Sequence, residues 1–168
     1  MRSFHPHVDI HTELDADLKP ILGSFLHLSK MVMNLVSNAA EALPEGGELF
    51  ITTKNDAFRS TAQGGDSVSI DECIMLRIRD TGIGISDRDV ERIFEPFYTK
   101  KKMWRSGTGL GMAMAWETVQ DHQGNIDVDN APGAGTTVTV RIPVTRQTPA
   151  PIRSESRRET FQGRGRPY

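Results

Sequence analysis

Cysteine is almost missing from this chain. Cys73 is its single thiol, so no internal disulfide can form and a reducing compartment is expected. Also missing is any apolar run approaching the ~20 residues that cross a bilayer as a helix. The opening MRSFHPHVDIHTELD has no apolar centre of the kind a signal peptide carries. These absences predict a cytoplasmic domain, or the cytosolic part of a larger, membrane-attached protein. Excess charge is lacking too: a net charge of -2 argues against a nucleic-acid groove and against an acidic-lipid surface. No internal repeat is visible. What remains is an ordinary soluble composition, 37% hydrophobic and 25% charged, over 168 residues. That length holds one domain with a real core and not comfortably two.

Val8, Ile10, Thr12 and Leu14 alternate with polar residues and predict a half-buried strand. A helix follows from about Leu26 to Leu43, stopped by Pro44 and the Gly46-Gly47 pair. Glu48 to Lys54 alternates as a strand, Phe58 to Ser69 reads as a mobile loop around Gly64-Gly65, and Cys73 to Asp80 is the next strand. Ser86 can cap a short helix, Asp87 to Ile93. Thr108 to His122 has helical periodicity with a glycine stop at Gly124, and strands are expected at Asn125 to Asp129 and Thr136 to Val144. The order favours an α+β sandwich: a mixed or mainly antiparallel sheet with helices on one face. Residues 1–145 are read as the domain. Residues 146–168, rich in Arg, Ser, Pro and Gly, have the composition of a disordered, solvated tail.

Four stretches carry chemistry. In NLVSNAAEAL, Asn34 and Asn38 share a helical face with Glu41, while Met31, Val32, Leu35, Val36, Ala39, Ala42 and Leu43 make the rest apolar. An unpartnered buried amide costs about 1–3 kcal/mol. The pair either bridges inside a helical core or presents an amide oxygen, that of Asn38, to Mg²⁺, which wants hard oxygen ligands. Asp80-Thr81-Gly82-Ile83-Gly84 ends an apolar strand. A carboxylate only accepts hydrogen bonds, so Asp80 suits the exocyclic amine of adenine and opposes the oxygen of guanine. Gly82 and Gly84 would let the backbone approach a flat base, or merely supply the positive φ of a turn. Gly107-Thr108-Gly109-Leu110-Gly111 opens a helix, a place suited to phosphate, though tight helix packing would also use glycines. It lacks the Gly-Lys-Ser/Thr ending of a Walker loop and the leading strand of a Rossmann turn. Finally, in IFEPFYTKKKMWRS the apolar Phe94, Pro96 and Phe97 precede Lys100, Lys101, Lys102 and Arg105, a basic run that reads as a hinged lid over a triphosphate or as a solvated loop.

Taken in order, NLVSNAAEAL, DTGIGIS, FEPFYTKK, GTGLGMA and GTTVTVRIP resemble the ATP-binding catalytic domain of bacterial sensor histidine kinases. That superfamily includes DNA gyrase, the heat-shock chaperone ATPase and the mismatch-repair ATPases. The resemblance covers roughly Val8 to Val144. It implies the two-layer Bergerat-type fold, with three helices over one face of a mixed, mainly antiparallel sheet and ATP lying between the helices under the lid. It further implies that Asp80 reads adenine beside Gly82, Gly84 and Ile85, that Thr136 supports the pocket, and that Asn38 ligates Mg²⁺. Gly107, Thr108, Gly109, Leu110 and Gly111 match the phosphate-side glycine box, Lys101 the lid lysine, and Phe97 and Glu41 further nucleotide contacts. Asn34 falls where hydrolysing relatives place a water-activating glutamate.

Two departures bear on the reading. Lys30 stands where many relatives have glutamine, and the lid segment KMWRS is bulkier than a short Gly-rich lid. No phospho-accepting histidine motif is present. Of His5, His7, His11, His27 and His122, the first three precede or lie on the first strand, and Pro6 forbids a helix there. They are read as polar strand positions rather than a metal cluster. The expectation is therefore a catalytic domain cut from a longer two-component kinase. Its partners would be a histidine-bearing dimerisation domain of the same protein and a response-regulator receiver domain. The isolated domain is expected to be a monomer and the full protein a homodimer. The alternatives are an ATPase of the gyrase type, which needs a carboxylate in place of Asn34 and has only Glu41 nearby, a serine kinase of the anti-sigma kind, and a non-catalytic nucleotide sensor.

Overall fold

A computed structural model describes residues 7–61, 68–95 and 111–145. In helix α1 (Phe25–Glu41), Met31, Leu35 and Ala39 recur at i and i+4 and are buried on one stripe. Ser24 caps the helix, its hydroxyl accepting from the His27 N–H at 3.4 Å. Leu43, just beyond the helix, is 1% exposed and continues the same stripe into the core. The chain then turns through Gly46 (φ +93°) and Gly47 (φ +142°) into strand β2 (Gly47–Thr61), so the glycine stop answers a real left-handed turn.

The elements follow in the expected order. Strand β1 (Val8–Leu14) precedes α1; β2 is followed by β3 (Val68–Asp80), α2 (Asp87–Val90), α3 (Gly111–Asp121), β4 (Asn125–Ala131) and β5 (Gly135–Pro143). The sheet runs β1-β2-β3-β5-β4, with β1 parallel to β2 and every other pair antiparallel. On one face, Leu49, Ile78, Val140 and Ile142 meet Met31, Leu35, Ala115 and Val119 of the helices, which makes the core. Helices α1 and α3 lie antiparallel, with Gly111 beside Asn34 at one end and His122 beside Gly23 at the other. Among the described residues no helix is long and apolar enough to cross a membrane.

Four expectations change. The segment Phe58 to Ser69 is not a loop at its ends: β2 and β3 continue pairing out to Thr61 and Val68, because backbone pairing carries a strand past its apolar residues. The Gly64-Gly65 turn lies outside the described residues. Strand β1 is not half-buried. It is the sheet edge beyond the helices, so Ile10 and Leu14 stay 45% and 61% exposed. Helix α2 ends at Val90 rather than Ile93. At the end of α3 the left-handed residue is Gln123 (φ +56°), not Gly124. Gly124 is needed for another reason: a Cβ there would sit 2.4 Å from the Arg141 carbonyl oxygen on β5. The beginning of the expected helix, Thr108 to Leu110, and the tail 146–168 lie outside the described residues.

Among the described residues no three His, Cys, Asp or Glu side chains gather as a metal cluster would. His11 instead stacks on Phe50 at 4.8 Å between centroids and approaches Glu48 at 3.5 Å.

Candidate nucleotide site

Strand β3 carries Asp80 to its last position, where the helix-facing side of the strand has Ile78 as the preceding residue. The alternation that buries Ile78 therefore buries Asp80, which is 3% exposed. Burial pushes its carboxyl above the usual carboxylate range, while the backbone N–H groups of Gly82 and Thr136 pull the other way. The Gly82 N–H donates to Oδ1 at 2.9 Å. Thr136, on β5, is 7% exposed. A shallow cavity of about 350 Å³ opens at this end of the sheet, lined by Asp80, Asn130, Gly135 and Thr136 together with Arg79 and Asp129. A desolvated carboxylate facing a cavity is an unusual arrangement for a group with only structural work to do.

The loop after Asp80 is pinned on both sides. A Cβ at Gly82 would meet the Ala42 carbonyl oxygen at 2.3 Å, so this glycine lets the loop lie against the end of α1. Gly84 has φ +74°, and a Cβ there would meet the Ala131 carbonyl oxygen at 2.8 Å. Both glycines thus answer first to packing of chain on chain. Asn130 of β4 was not singled out from the sequence, yet its amide reaches across to Ile85. The Ile85 N–H donates to Asn130 Oδ1 at 2.6 Å, and Asn130 Nδ2 donates back to the Ile85 carbonyl. The Thr136 hydroxyl donates to the same Oδ1 at 3.3 Å. The Gly133 N–H donates to the Ile83 carbonyl at 2.9 Å. The only signal in the sequence is that Asn130 continues the inward stripe of Ile126 and Val128, where an amide interrupts apolar residues.

On α1, Asn34 and Asn38 are half-buried and Glu41 is exposed at the last helical position. Neither asparagine amide is hydrogen-bonded to another described residue, which leaves two oxygen acceptors on one face of the helix. Asn34 lies 3.6 Å from where a Gly111 Cβ would be, so the structure brings the asparagine face to the first residue of α3. The cavity at Asp80 is not lined by Asn34, Asn38 or Glu41. Phe97, Lys101, Gly107, Thr108, Gly109 and Leu110, and with them the expected lid, lie outside the described residues.

This combination of sheet order, helix layer and a buried strand-end carboxylate defines a class. The chain belongs to the histidine kinase-, DNA gyrase B-, and HSP90-like ATPase family, which matches residues 23–146. Among curated proteins it is 33% identical over 137 residues to sporulation kinase E of Bacillus subtilis (strain 168), spanning 82% of this chain and 16% of that protein. It is 36% identical over 134 residues to the histidine protein kinase DivJ of Caulobacter vibrioides, spanning 79% of this chain and 19% of that one. The catalytic domain of histidine kinase ThkA superposes with a TM-score of 0.62 at 26% identity, over 81% of this chain and 80% of that domain. The chain is thus comparable in extent to a kinase catalytic domain and spans under a fifth of these curated kinases.

Proposed function

We propose that this chain is the ATP-binding catalytic module of a two-component sensor histidine kinase, acting in the cytoplasm, that passes the γ-phosphoryl group of ATP to a histidine on a separate dimerisation domain. The module occupies residues 1–145. Asp80 carries the reading: a carboxylate 3% exposed, with its pKa raised by burial, lining an open cavity. An acceptor-only group held in place by backbone N–H donors is suited to the N6 amine of adenine. Gly82, Gly84, Ile85 and Thr136 would complete the base pocket.

The two amides on α1, which bond to no other described residue, would suit a hard cation. Asn38 would hold Mg²⁺ through its amide oxygen, and the ion when bound would neutralise phosphate charge. Lys101, Phe97, Glu41 and the glycines 107, 109 and 111 with Thr108 and Leu110 would take the rest of the nucleotide. Asn34 has no basic atom with which to deprotonate water, so the site favours transfer over hydrolysis. The acceptor would be the histidine domain of the same full-length homodimer, and from there a response-regulator receiver domain.

Calorimetry of the 168-residue chain with ATP and with GTP, in Mg²⁺, tests this. Binding of ATP well above GTP is expected. Equal binding of both would overturn the assignment of Asp80.

A further inference from the structure

Asn130 sits in strand register opposite Thr136, on the inward stripe of β4. Its amide is bonded on both of its polar atoms to the backbone of one residue, accepting from the Ile85 N–H and donating to the Ile85 carbonyl, as a neighbouring strand would. The orientation of the amide is determined. Oδ1 receives two donors, the Ile85 N–H and the Thr136 hydroxyl, and Nδ2 faces a carbonyl; rotating the amide by half a turn would lose both bonds to Ile85, the Thr136 hydroxyl alone being able to accept instead of donate.

Thr136 ties this clamp to Asp80. Its backbone N–H donates to the Asp80 carboxylate and its hydroxyl to Asn130. The loop between is therefore held at both ends: Gly82 is bonded to Asp80, and Ile85 is bonded to Asn130. Asp80, Asn130 and Thr136 all line the same cavity. Between the two anchors Gly84 is pressed against Ala131 and Asn130 with a backbone conformation that side chains rarely adopt. Without Asn130 the loop would keep its bonds at Gly82 and at the Ile83 carbonyl, but Ile85 would lose both of its bonds to the amide and its end of the loop could shift.

We propose that Asn130 is a positioning residue for base recognition: by clamping Ile85 it sets the spacing between the 82–85 loop and Asp80, and so determines whether the pocket discriminates an amine-bearing purine. The proposal rests on the ATP-binding reading above. Asparagine is the fitting residue because it alone, at this length, offers a donor and an acceptor side by side. Aspartate has the same shape but no donor for the Ile85 carbonyl, and alanine has neither group.

The test compares ATP with inosine triphosphate, which differs at the exocyclic amine, on the full 168-residue chain at fixed Mg²⁺. Wild type should prefer ATP. In Asn130→Ala the ATP-to-ITP preference should fall about tenfold, through loss of ATP affinity, and the Ile85 amide should exchange faster with solvent. Asn130→Asp, isosteric with the native residue, should lower the preference in the same direction and serves where the alanine variant does not fold. A wild type with the preference and variants that keep it within about twofold overturn the positioning role and leave the ATP reading standing. So does a parallel loss of both affinities, which is what mere destabilisation would give. A wild type that binds ATP and ITP equally overturns the adenine reading itself, and the proposal with it.

Discussion

Asp80 binds its proton more tightly in the folded chain than in the unfolded one, since burial raises its pKa. Between the ordinary carboxylate range and the raised value the native state therefore holds more protons, and stability falls as pH rises through that window. The carboxylate that suits adenine is in this way a stability cost in the empty domain. Asp80→Asn should remove that slope from urea-unfolding curves measured across the acid range. The same change should weaken ATP by about 1.5–3 kcal/mol, the range of a charged hydrogen bond. An unchanged affinity in calorimetry would remove Asp80 from the site. Asn38 gives a second test. Its amide is half-buried and unbonded to other described residues, so Asn38→Ala orphans no partner among them and should fold normally. The expected loss is the increment in ATP affinity on adding Mg²⁺. A variant that keeps the full increment would show Asn38 to be a helix amide with no metal to hold.

The hairpin of β4 and β5 shows how differently two neighbouring glycines behave. Gly133 has φ +81° with open space where a Cβ would go, whereas Gly135 has φ +101° and a Cβ there would lie 2.0 Å from the Asp80 carbonyl oxygen. Gly133→Ala should cost only the roughly 1–2 kcal/mol of a left-handed residue. Gly135→Ala should cost that and about 1–3 kcal/mol more, because β3 must move; urea midpoints decide the difference. At the end of α3, Gln123→Gly should stabilise by up to about 1 kcal/mol, since Gln123 holds a left-handed conformation that glycine adopts freely, and a lowered melting temperature would refute this. The order of elements was legible in the sequence because periodicity changes at each one. Their ends were less so. Ala57 to Thr61 pairs with Val68 to Glu72 through backbone groups, which leave little mark on composition. Of the candidate site, Asp80 was legible because it ends an apolar strand, whereas Thr136 entered only through the family resemblance. Asn130 was not legible, because its partner Ile85 is 45 residues away and no local spacing connects them.

At the scale of the whole chain, phosphoryl transfer needs a nucleotide site and an acceptor that can be brought to it. The proposed site lies on β3, β5 and the helix face. The acceptor is not found among the four described histidines. His11 stacks on Phe50 at the sheet edge, and His122 lies against Gly23 with Nδ1 2.6 Å from the Thr118 carbonyl oxygen. His27 is in the first turn of α1, at the opposite end of that helix from Glu41, and His7 precedes β1. A proposed ATP site to which none of the described histidines is presented, with an amide at Asn34 rather than a base, should be nearly idle. The prediction is that the 168-residue chain binds Mg·ATP, hydrolyses it very slowly and takes up no phosphoryl group of its own. Adding a histidine-bearing dimerisation domain in trans should start transfer, because positioning of the acceptor is the missing step. Radiolabelled ATP followed by acid treatment reads the result: acid-labile label is expected on the added domain only. Acid-labile label on the chain alone would refute this division of labour. Rapid turnover of ATP that disappears in Glu41→Gln would instead make the chain a hydrolase, with Glu41 activating the water that Asn34 cannot.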